Sequence, residues 1–419
     1  MSDWDFSAPP ESIIGDREVA QEGNYLGGKR IALLVTGSIA AIKAPLIARS
    51  LRRQDADVVA FASPEAVRYT TIEALQWSTN NKVITKLTAA AEHLSDDNPF
   101  AAYVVAPATY NTINKVRYGI AEGVITSSIA SAIGRMERGQ TQVLIAPTMH
   151  GSLHNSLLTE SLKYLHNMGV RIIPPKVAYG KNNLPSETAI VAAVIRAVSN
   201  SQLKSRSILV TGGATPVPID SIRILTNRFT GKLSGCIAEE LHYRGAKVKL
   251  IRGTGSYNPP EYLPHCLINT YQEYRQAVIE ELSTNNYQAA IFSAAVADYQ
   301  AKELFDGKIS SGGALQNIEL IPTVKVIKEV RDKFPHLRMI TFKYQENVSH
   351  TELIDIAQAR LQQGYQMVVA NRGEEYQATA VQVAYLVTKD HEPQKVVGKQ
   401  EIAKAIADYL ESTSDQNNF

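Results

Sequence analysis

The sequence predicts an α/β protein made of two doubly wound parallel-sheet domains. Short apolar runs typical of strands alternate with helical patterns along most of the 419 residues. This alternation starts twice in the same way, at Lys29 and at Ser205, each time as a short strand that runs into a Gly-containing turn. Between the two starts, residues 198–207 are polar and have no apolar periodicity, which predicts the junction between domains.

The predicted domains cover residues 29–200 and 205–413. The strands expected in the first domain are RIALLVT, DVVAFAS, AYVVAP and QVLIAP. Those expected in the second are SILVTGG, KVKLIRG, AAIFSAAVADY, RMITFK and QMVVAN. Residues 1–28 contain six acidic residues and one basic residue and have no apolar centre, so we expect a mobile leader rather than a secretion signal.

Composition excludes several classes of protein. Lys and Arg total 43 and Asp and Glu total 41, so the net charge of +2 gives no general reason to bind nucleic acid. Apolar runs are interrupted well before the ~18 residues of a membrane span. The two cysteines, Cys236 and Cys266, exclude a disulfide framework and a Cys-rich metal site, and they favour a reducing cytoplasm.

In a parallel sheet, ligands bind beyond the carboxyl ends of the strands, where loop amides and helix starts gather. Gly37 and Ser38 follow the first strand, where they form either a tight packing turn or a phosphate cradle in which Gly37 lets a ligand approach the backbone. Thr109, Asn111, Thr112 and Asn114 follow the third strand and serve either as helix caps or as contacts to the edge of a heterocycle. His93 lies in a polar loop before that strand, where a histidine is more often a solvated bystander.

Together these loops resemble the FMN-dependent Cys-decarboxylase flavoprotein family, from Lys29 to about Asn200. The resemblance implies FMN as cofactor and His93 as a catalytic residue. It assigns the FMN phosphate to the turns after the first two strands: Gly37, Ser38, Ile39 and Ser63. It assigns the flavin ring to the loop after the third: Pro107, Ala108, Thr109, Asn111 and Thr112.

Two motifs of that family are altered here. Its P-A-M-N substrate motif reads Pro147-Thr148-Met149-His150, so Met149 and His150 take the place of substrate-binding residues. Its Ala-Cys-Gly clamp reads Ala178-Tyr179-Gly180. The clamp cysteine protonates the enethiol formed by decarboxylation in the family, and a phenol is a weaker acid than a thiol. Tyr179 therefore substitutes as acid, or the reaction stops at an oxidised product, or the domain no longer decarboxylates.

From Ser207 to about Leu410 the chain resembles the phosphopantothenate–cysteine ligase family, mainly through the run TGGATPVPIDSIRILTNRFTGK. The resemblance implies activation of a carboxylate as an acyl-nucleotide, with CTP or ATP as co-substrate and Mg²⁺. Asn227 matches the residue that contacts this intermediate, and Lys308 matches one catalytic lysine of a K-I-K-K segment that continues here as Ser310-Ser311. The implied substrate-binding residues are Gly212, Gly213, Asp220, Arg223, Ala295, Asp298, Phe342, Lys343 and Arg360.

The order of the two regions is that of the bifunctional coenzyme A biosynthesis family. It implies a cytoplasmic homo-oligomer that acts on 4′-phosphopantothenate, cysteine and 4′-phosphopantothenoylcysteine, without nucleic-acid or membrane partners. Two alternatives stay open for the altered first domain. One is a non-catalytic FMN-binding protein with a regulatory or assembly role, and the other is a flavoprotein that acts on another thiol or in prenyl transfer.

Overall fold

The computed structural model describes residues 6–8, 10–94, 97–255, 257–309, 312, 317–379 and 381–413. The chain divides into two compact units, Met1–Val198 and Ser199–Phe419. Within the described ranges, every helix is too short or too polar to cross a membrane.

The first unit contains a parallel sheet, as predicted; it has five strands, one more than the four expected, in the order β2-β1-β3-β4-β5. Its strands are β1 Arg30–Val35, β2 Asp57–Ala62, β3 Ala102–Ala108, β4 Gln142–Pro147 and β5 Arg171–Ile172, with a separate hairpin of β6 Lys176–Ala178 and β7 Lys181–Asn183. Its α-helices are α1 Ala44–Arg52, α2 Ile72–Thr79, α3 Tyr110–Arg117, α4 Val124–Glu137, α5 Ser156–Asn167 and α6 Glu187–Val198. All seven residues of β3 are buried, because helices cover both faces of the sheet. Strand order reverses between β1 and β3, which places a crevice at their carboxyl ends.

The end of the predicted leader belongs to this unit. Leu26 is fully buried and Val19 is 7% exposed. The carbonyl of Arg53 accepts hydrogen bonds from the amides of Glu22 and Gly23, at 2.9 and 3.2 Å. The prediction of a mobile leader through residue 28 is therefore wrong for residues 19–28, in which the side chains of Val19 and Leu26 are buried.

The second unit contains an eight-stranded sheet in the order β13-β12-β8-β14-β18-β19-β20-β21. Its strands are β8 Ser207–Gly212, β12 Lys247–Gly253, β13 His265–Ile268, β14 Ala289–Phe292, β18 Arg338–Gln345, β19 Met367–Arg372, β20 Val383–Val387 and β21 Gln394–Val397. Short strands form three separate pairs: β9 Ala214–Thr215 with β15 Ala295–Val296, β10 Val217–Pro218 with β11 Ile224–Leu225, and β16 Tyr299–Ala301 with β17 Leu320–Pro322. The helices are α7 Lys232–Tyr243, α8 Tyr271–Thr284, α9 Val326–Lys333, α10 His350–Leu361, α11 Gly373–Thr379 and α12 Lys399–Ser412.

Six strands of this sheet are parallel, as predicted, but β20 and β21 are antiparallel to their neighbours. The reason is the length of their connections. A parallel crossover needs about a dozen residues or more, and the segments before β20 and before β21 are shorter than that. The predicted all-parallel sheet is thus mixed at one edge.

Candidate functional site

Hydrogen bonds hold together the loops after β1 and β3, which border the crevice of the first domain. The buried Thr36 hydroxyl donates to the carbonyl of Pro107 at 2.7 Å and accepts from the amide of Thr109 at 3.3 Å. The loop after β2 joins them, because the amide of Ser63 donates to the carbonyl of Val35 at 3.1 Å. The segments assigned to FMN by sequence therefore meet at one edge of the sheet.

Two hydroxyl groups at this edge suit an anion. Ser38 accepts a hydrogen bond from the amide of Ala40 at 3.2 Å, and Ser63 accepts one from the amide of Ala66 at 3.1 Å. Because both oxygens act as acceptors in these bonds, their own protons can be donated to a phosphate. Ile39, next to Ser38, is 68% exposed and can contact a bound ligand.

Of the two roles that the sequence left open for Gly37, the structure supports the tight packing turn. A Cβ atom at this position would lie 2.3 Å from Cβ of Glu65, far inside normal contact. The glycine is required for the close approach of the first two loops, so a side chain there would meet protein before it met phosphate.

Some of the polar residues after β3 form hydrogen bonds within the protein, and others are exposed and available to a ligand. Thr109 caps α3 by accepting from the amide of Thr112 at 3.4 Å, and their hydroxyls lie 3.1 Å apart. Asn114 donates to the carbonyl of Tyr110 and accepts from Ser161, both at 2.8 Å, so it joins α3 to α5 rather than reading a heterocycle. Asn111 is exposed and available.

The predicted contact of Ala108 with the flavin ring is also corrected by the structure. Its side chain is fully buried, and its carbonyl accepts from the amide of Thr148 at 3.1 Å. It therefore shapes the loop instead of touching a ligand. Its neighbour Pro107 offers its carbonyl to Thr36 and holds the same loop in place.

His93 lies apart from these loops. The carbonyl of Leu94 accepts from Arg135, in the last turn of α4, at 2.8 Å, and the carbonyl of Asn98 accepts from Arg30, the first residue of β1. Both anchors hold the loop near the start of the strands, whereas the loops that the sequence assigns to FMN follow the strand ends. The Nδ1 atom of His93 is buried and has no hydrogen-bond partner among the described residues.

The clamp of the first domain is the β6–β7 hairpin, with Tyr179 and Gly180 at its turn, at φ 54° and 67°. Tyr179 is 97% exposed. The hairpin is fixed to the loop after β4, because Met149 and Asn182 exchange two backbone hydrogen bonds of 2.9 and 3.1 Å. The predicted acid therefore points into solvent, while its hairpin is anchored beside Met149.

Two histidines flank this anchor. His150 accepts from the amide of Ser152 at 3.3 Å, which begins a short helical turn. His154 follows that turn, and its Nδ1 contacts the side-chain amide of Asn182. Sequence reasoning found His150 through its motif but missed His154, which lies outside it.

In the second domain, glycines let three loops pack backbone to backbone. A Cβ on Gly212 would lie 1.8 Å from Oγ of Ser234, at the start of α7. A Cβ on Gly213, which has φ +77°, would lie 3.1 Å from backbone atoms of Gly253. Both predicted substrate-binding glycines thus serve first to bring the loops after β8 and β12 and the start of α7 together.

Asn227 joins the exposed loop before α7 to the segment after β14. Its side-chain amide donates to the carbonyl of Ala295 at 3.0 Å and to that of Val296 at 3.4 Å. The amide of Ala295 in turn donates to the carbonyl of Gly213 at 2.9 Å. Three predicted site residues are therefore linked at the carboxyl edge of the sheet.

Asp220 is structural rather than substrate-binding. Its side chain has no exposed surface. Burial opposes its charged form, but hydrogen bonds from the amides of Arg223, Ile222 and Ile309 and from the Arg223 guanidinium hold its pKa well below the usual range. This pair fixes the segment that presents the exposed Lys308; Ser310 and Ser311 lie outside the described residues.

A group of charges completes this edge. Asp298 pairs with Lys325, which follows β17 and was not expected from the sequence. Partial burial lowers the pKa of Lys343, and the nearby cations Arg360 and Lys325 lower it further, while Asp298 opposes the change. The Arg360 guanidinium donates to the carbonyl of Phe342 at 2.7 Å. Three cations thus gather around one carboxylate, as the binding of a polyphosphate requires.

Known proteins match this chain along nearly its whole length. The family model described as "Flavoprotein" matches residues 19–199, and the model described as "DNA/pantothenate metabolism flavoprotein C-terminal domain" matches residues 203–413. The "Coenzyme A biosynthesis bifunctional protein CoaBC" of Thermococcus kodakarensis is 34% identical over 94% of this chain and 97% of its own length. The protein of the same description from Methanocaldococcus jannaschii is 30% identical, over 92% and 94%. The solved "DNA/Pantothenate Metabolism Flavoprotein" from Streptococcus pneumoniae is 29% identical and covers 50% of this chain and 99% of its own, with a TM-score of 0.45.

Proposed function

Because the chain belongs to the family of bifunctional coenzyme A biosynthesis proteins, we propose that its two domains catalyse consecutive reactions. The second domain joins 4′-phosphopantothenate to cysteine with a nucleoside triphosphate, CTP or ATP. The first domain decarboxylates the resulting 4′-phosphopantothenoylcysteine to 4′-phosphopantetheine with FMN. The observation that carries this proposal is the meeting of Gly213, Asn227 and Ala295 beside a group of cations at one sheet edge.

The ligation needs two things from its site. Phosphate charge must be neutralised, and the acyl anhydride must be kept from water. Lys325, Lys343 and Arg360 supply positive charge, and Mg²⁺ would accompany the triphosphate. The Phe229 ring packs edge-on against Tyr344 with centroids 5.7 Å apart, which brings the Asn227 loop beside Lys343 and screens the site.

In the first domain, Ser38 and Ser63 would hold the FMN phosphate, and the loop after β3 would border the ring. FMN supplies reversible two-electron chemistry when bound. Met149 and His150 lie beside the clamp, where they would position the carboxylate of the substrate.

The position of His93 supports a homo-oligomer. In its own chain His93 is held near the start of the strands, although the cofactor loops follow their ends. In a homo-oligomer, His93 of a second copy of the chain would reach the cofactor loops as the base. We place the assembly in the cytoplasm, where the thiols of cysteine and 4′-phosphopantothenoylcysteine stay reduced.

The test is incubation of the purified protein with 4′-phosphopantothenate, cysteine and either CTP or ATP, followed by mass spectrometry. We expect a yellow protein that releases FMN on denaturation, and a ligated product with one of the two nucleotides. Lys343→Gln should raise the KM for that nucleotide, while Lys389→Gln, a control on the loop between β20 and β21, should not.

The outcomes separate the hypotheses. Absence of ligated product with both nucleotides would refute the ligase assignment. Ligation without carbon dioxide release, in a protein that keeps its FMN, would favour the non-catalytic interpretation of the first domain. That interpretation has one observation in its favour, since Tyr179 stands where the family has its clamp cysteine and points into solvent.

A further inference from the structure

We propose that His154, oriented by Asn182, donates the proton that the clamp cysteine supplies elsewhere in the family. This inference rests on the decarboxylation proposed above and names the acid for its last step. It starts from a contact that the sequence motifs do not contain, between the His154 imidazole and the Asn182 side chain.

The clamp hairpin is rigidly seated against the loop that carries His154. Besides the two backbone bonds between Met149 and Asn182, a Cβ on Gly151 would lie 2.3 Å from the carbonyl oxygen of Gly180. Within the hairpin, the side chain of Asn183 donates to the carbonyl of Ala178 at 3.2 Å. The position of the clamp relative to His154 is therefore set by the backbone.

Few titratable groups occupy this junction. Lys176, Lys181 and Tyr179 lie on the hairpin and are exposed, and His150 is engaged with Ser152. An ammonium or a phenol transfers a proton poorly at neutral pH, whereas imidazole is suited to it. Among the described residues at the junction, His154 combines an imidazole ring with a side-chain contact to Asn182.

Asn182 explains how that orientation persists through proton transfer. When its NH₂ group donates to Nδ1, the neutral ring carries its proton on Nε2. When the ring is protonated at both nitrogens, a rotation of the amide presents the oxygen of Asn182 to Nδ1–H instead. Asn182 is thus a positioning residue, and Nε2 of His154 is the atom that gives up the proton.

The step balances as follows. Loss of carbon dioxide from the oxidised substrate leaves an enethiol, whose carbon–carbon double bond must gain two electrons and two hydrogens. FMN, when bound, would supply both electrons with one hydrogen, and His154 supplies the other hydrogen as a proton. Solvent then reprotonates the imidazole, and no external oxidant or reductant is needed.

The experiment compares wild type, His154→Gln and His166→Gln, a matched substitution of an exposed histidine on α5, each loaded with FMN under anaerobic conditions. After 4′-phosphopantothenoylcysteine is added, all three should release carbon dioxide. We expect His154→Gln to accumulate the enethiol, which is lighter by two hydrogen atoms, and to reduce it about 10²–10⁴-fold more slowly.

A second measurement is independent of activity. In FMN-free protein, the NMR signal of the Asn182 side-chain amide should shift with pH in wild type and in His166→Gln, but not in His154→Gln. Fully reduced product formed by His154→Gln at the wild-type rate would overturn the inference. So would enethiol accumulation in Tyr179→Phe but not in His154→Gln. No carbon dioxide from wild type would instead refute the decarboxylase proposal itself.

Discussion

Gly37→Ala is the sharpest test of how the first domain builds its cofactor site. The new Cβ would lie 2.3 Å from Cβ of Glu65, while the next closest atoms, both backbone atoms of Glu65, are 3.2 and 3.3 Å away. Ordinary contact begins near 3.4 Å, so the loops after β1 and β2 must separate by about 1 Å. Overpacking of this kind costs about 1–3 kcal/mol. Since 1.4 kcal/mol is tenfold in an equilibrium constant, FMN should bind about 5- to 150-fold more weakly.

The cause of this loss can be isolated with two double variants. Gly37→Ala with Glu65→Gly removes the clashing Cβ, so FMN affinity should return to within a few-fold of wild type. Gly37→Ala with Glu65→Ala keeps that Cβ and should remain as weak as the single variant. Glu65 is exposed and pairs only with Arg68 on the surface among its described contacts, so its own loss has little effect.

The assay is fluorescence titration of FMN-free protein with FMN, with a thermal unfolding curve for each variant to confirm folding. Equal affinities for the two double variants would refute the loop-clash reasoning. That result would instead support direct obstruction of the phosphate by a side chain at position 37.

Three further predictions concern the second domain. Asn227→Asp replaces the amide that donates to Ala295 with an acceptor and adds negative charge near phosphate, so ligation measured by product mass should fall about 10²–10³-fold while FMN content is unchanged. Arg244→Met should lower the free energy of unfolding by about 3 kcal/mol in urea melts, because the Glu240 carboxylate, 2.7 Å away, stays buried without the guanidinium; an equal midpoint would contradict this. Arg275 and then Lys333 lower the pKa of Glu329 to about 2. Because this folded-state pKa lies below the ordinary value, the stabilisation of the fold by ionised Glu329 is present above about pH 4.5 and is lost towards pH 2. Glu329→Gln should therefore flatten the dependence of the unfolding midpoint on pH in that range.

The strands were predictable because a parallel sheet covered on both faces forces continuous apolar runs into the sequence, as in β3. The antiparallel edge was not predicted, since its direction is set by the short connections before β20 and β21 rather than by the residues within them. The leader boundary was missed for a related reason. Val19 and Leu26 are isolated buried side chains in a polar segment, and two such side chains give no periodicity to detect.

Within the candidate sites, the sequence predicted which loops meet but not the direction of their side chains. Asp220 and Asn114 are polar residues in the loops assigned to ligands, yet the side chains of both form hydrogen bonds with other protein groups. Lys325 and His154 were missed because they follow irregular segments, and only folding brings them to Asp298 and Asn182. A contact between distant segments leaves no signal in the spacing of residues along the chain.

The glycines show most clearly that contacts between distant segments cannot be predicted from the sequence. The surroundings of each glycine determine how the sites should be tested. Gly37 and Gly212 both look like places where a ligand approaches the backbone, but in both the space beside the Cα is filled by another segment of the same domain. A single substitution that abolishes binding therefore cannot distinguish a phosphate contact from a displaced loop. At Gly37 the obstructing group is one Cβ on an exposed residue, which a second substitution can remove. At Gly212 it is Ser234, buried at the start of α7, where Ser234→Gly would also delete the 2.7 Å hydrogen bond to the carbonyl of Gly231. The double variants at Gly37 and Glu65 thus isolate the loop contact in the first domain. In the second domain the loops and the start of α7 form one unit. Ligand contacts there must be tested through Asn227 and Lys343.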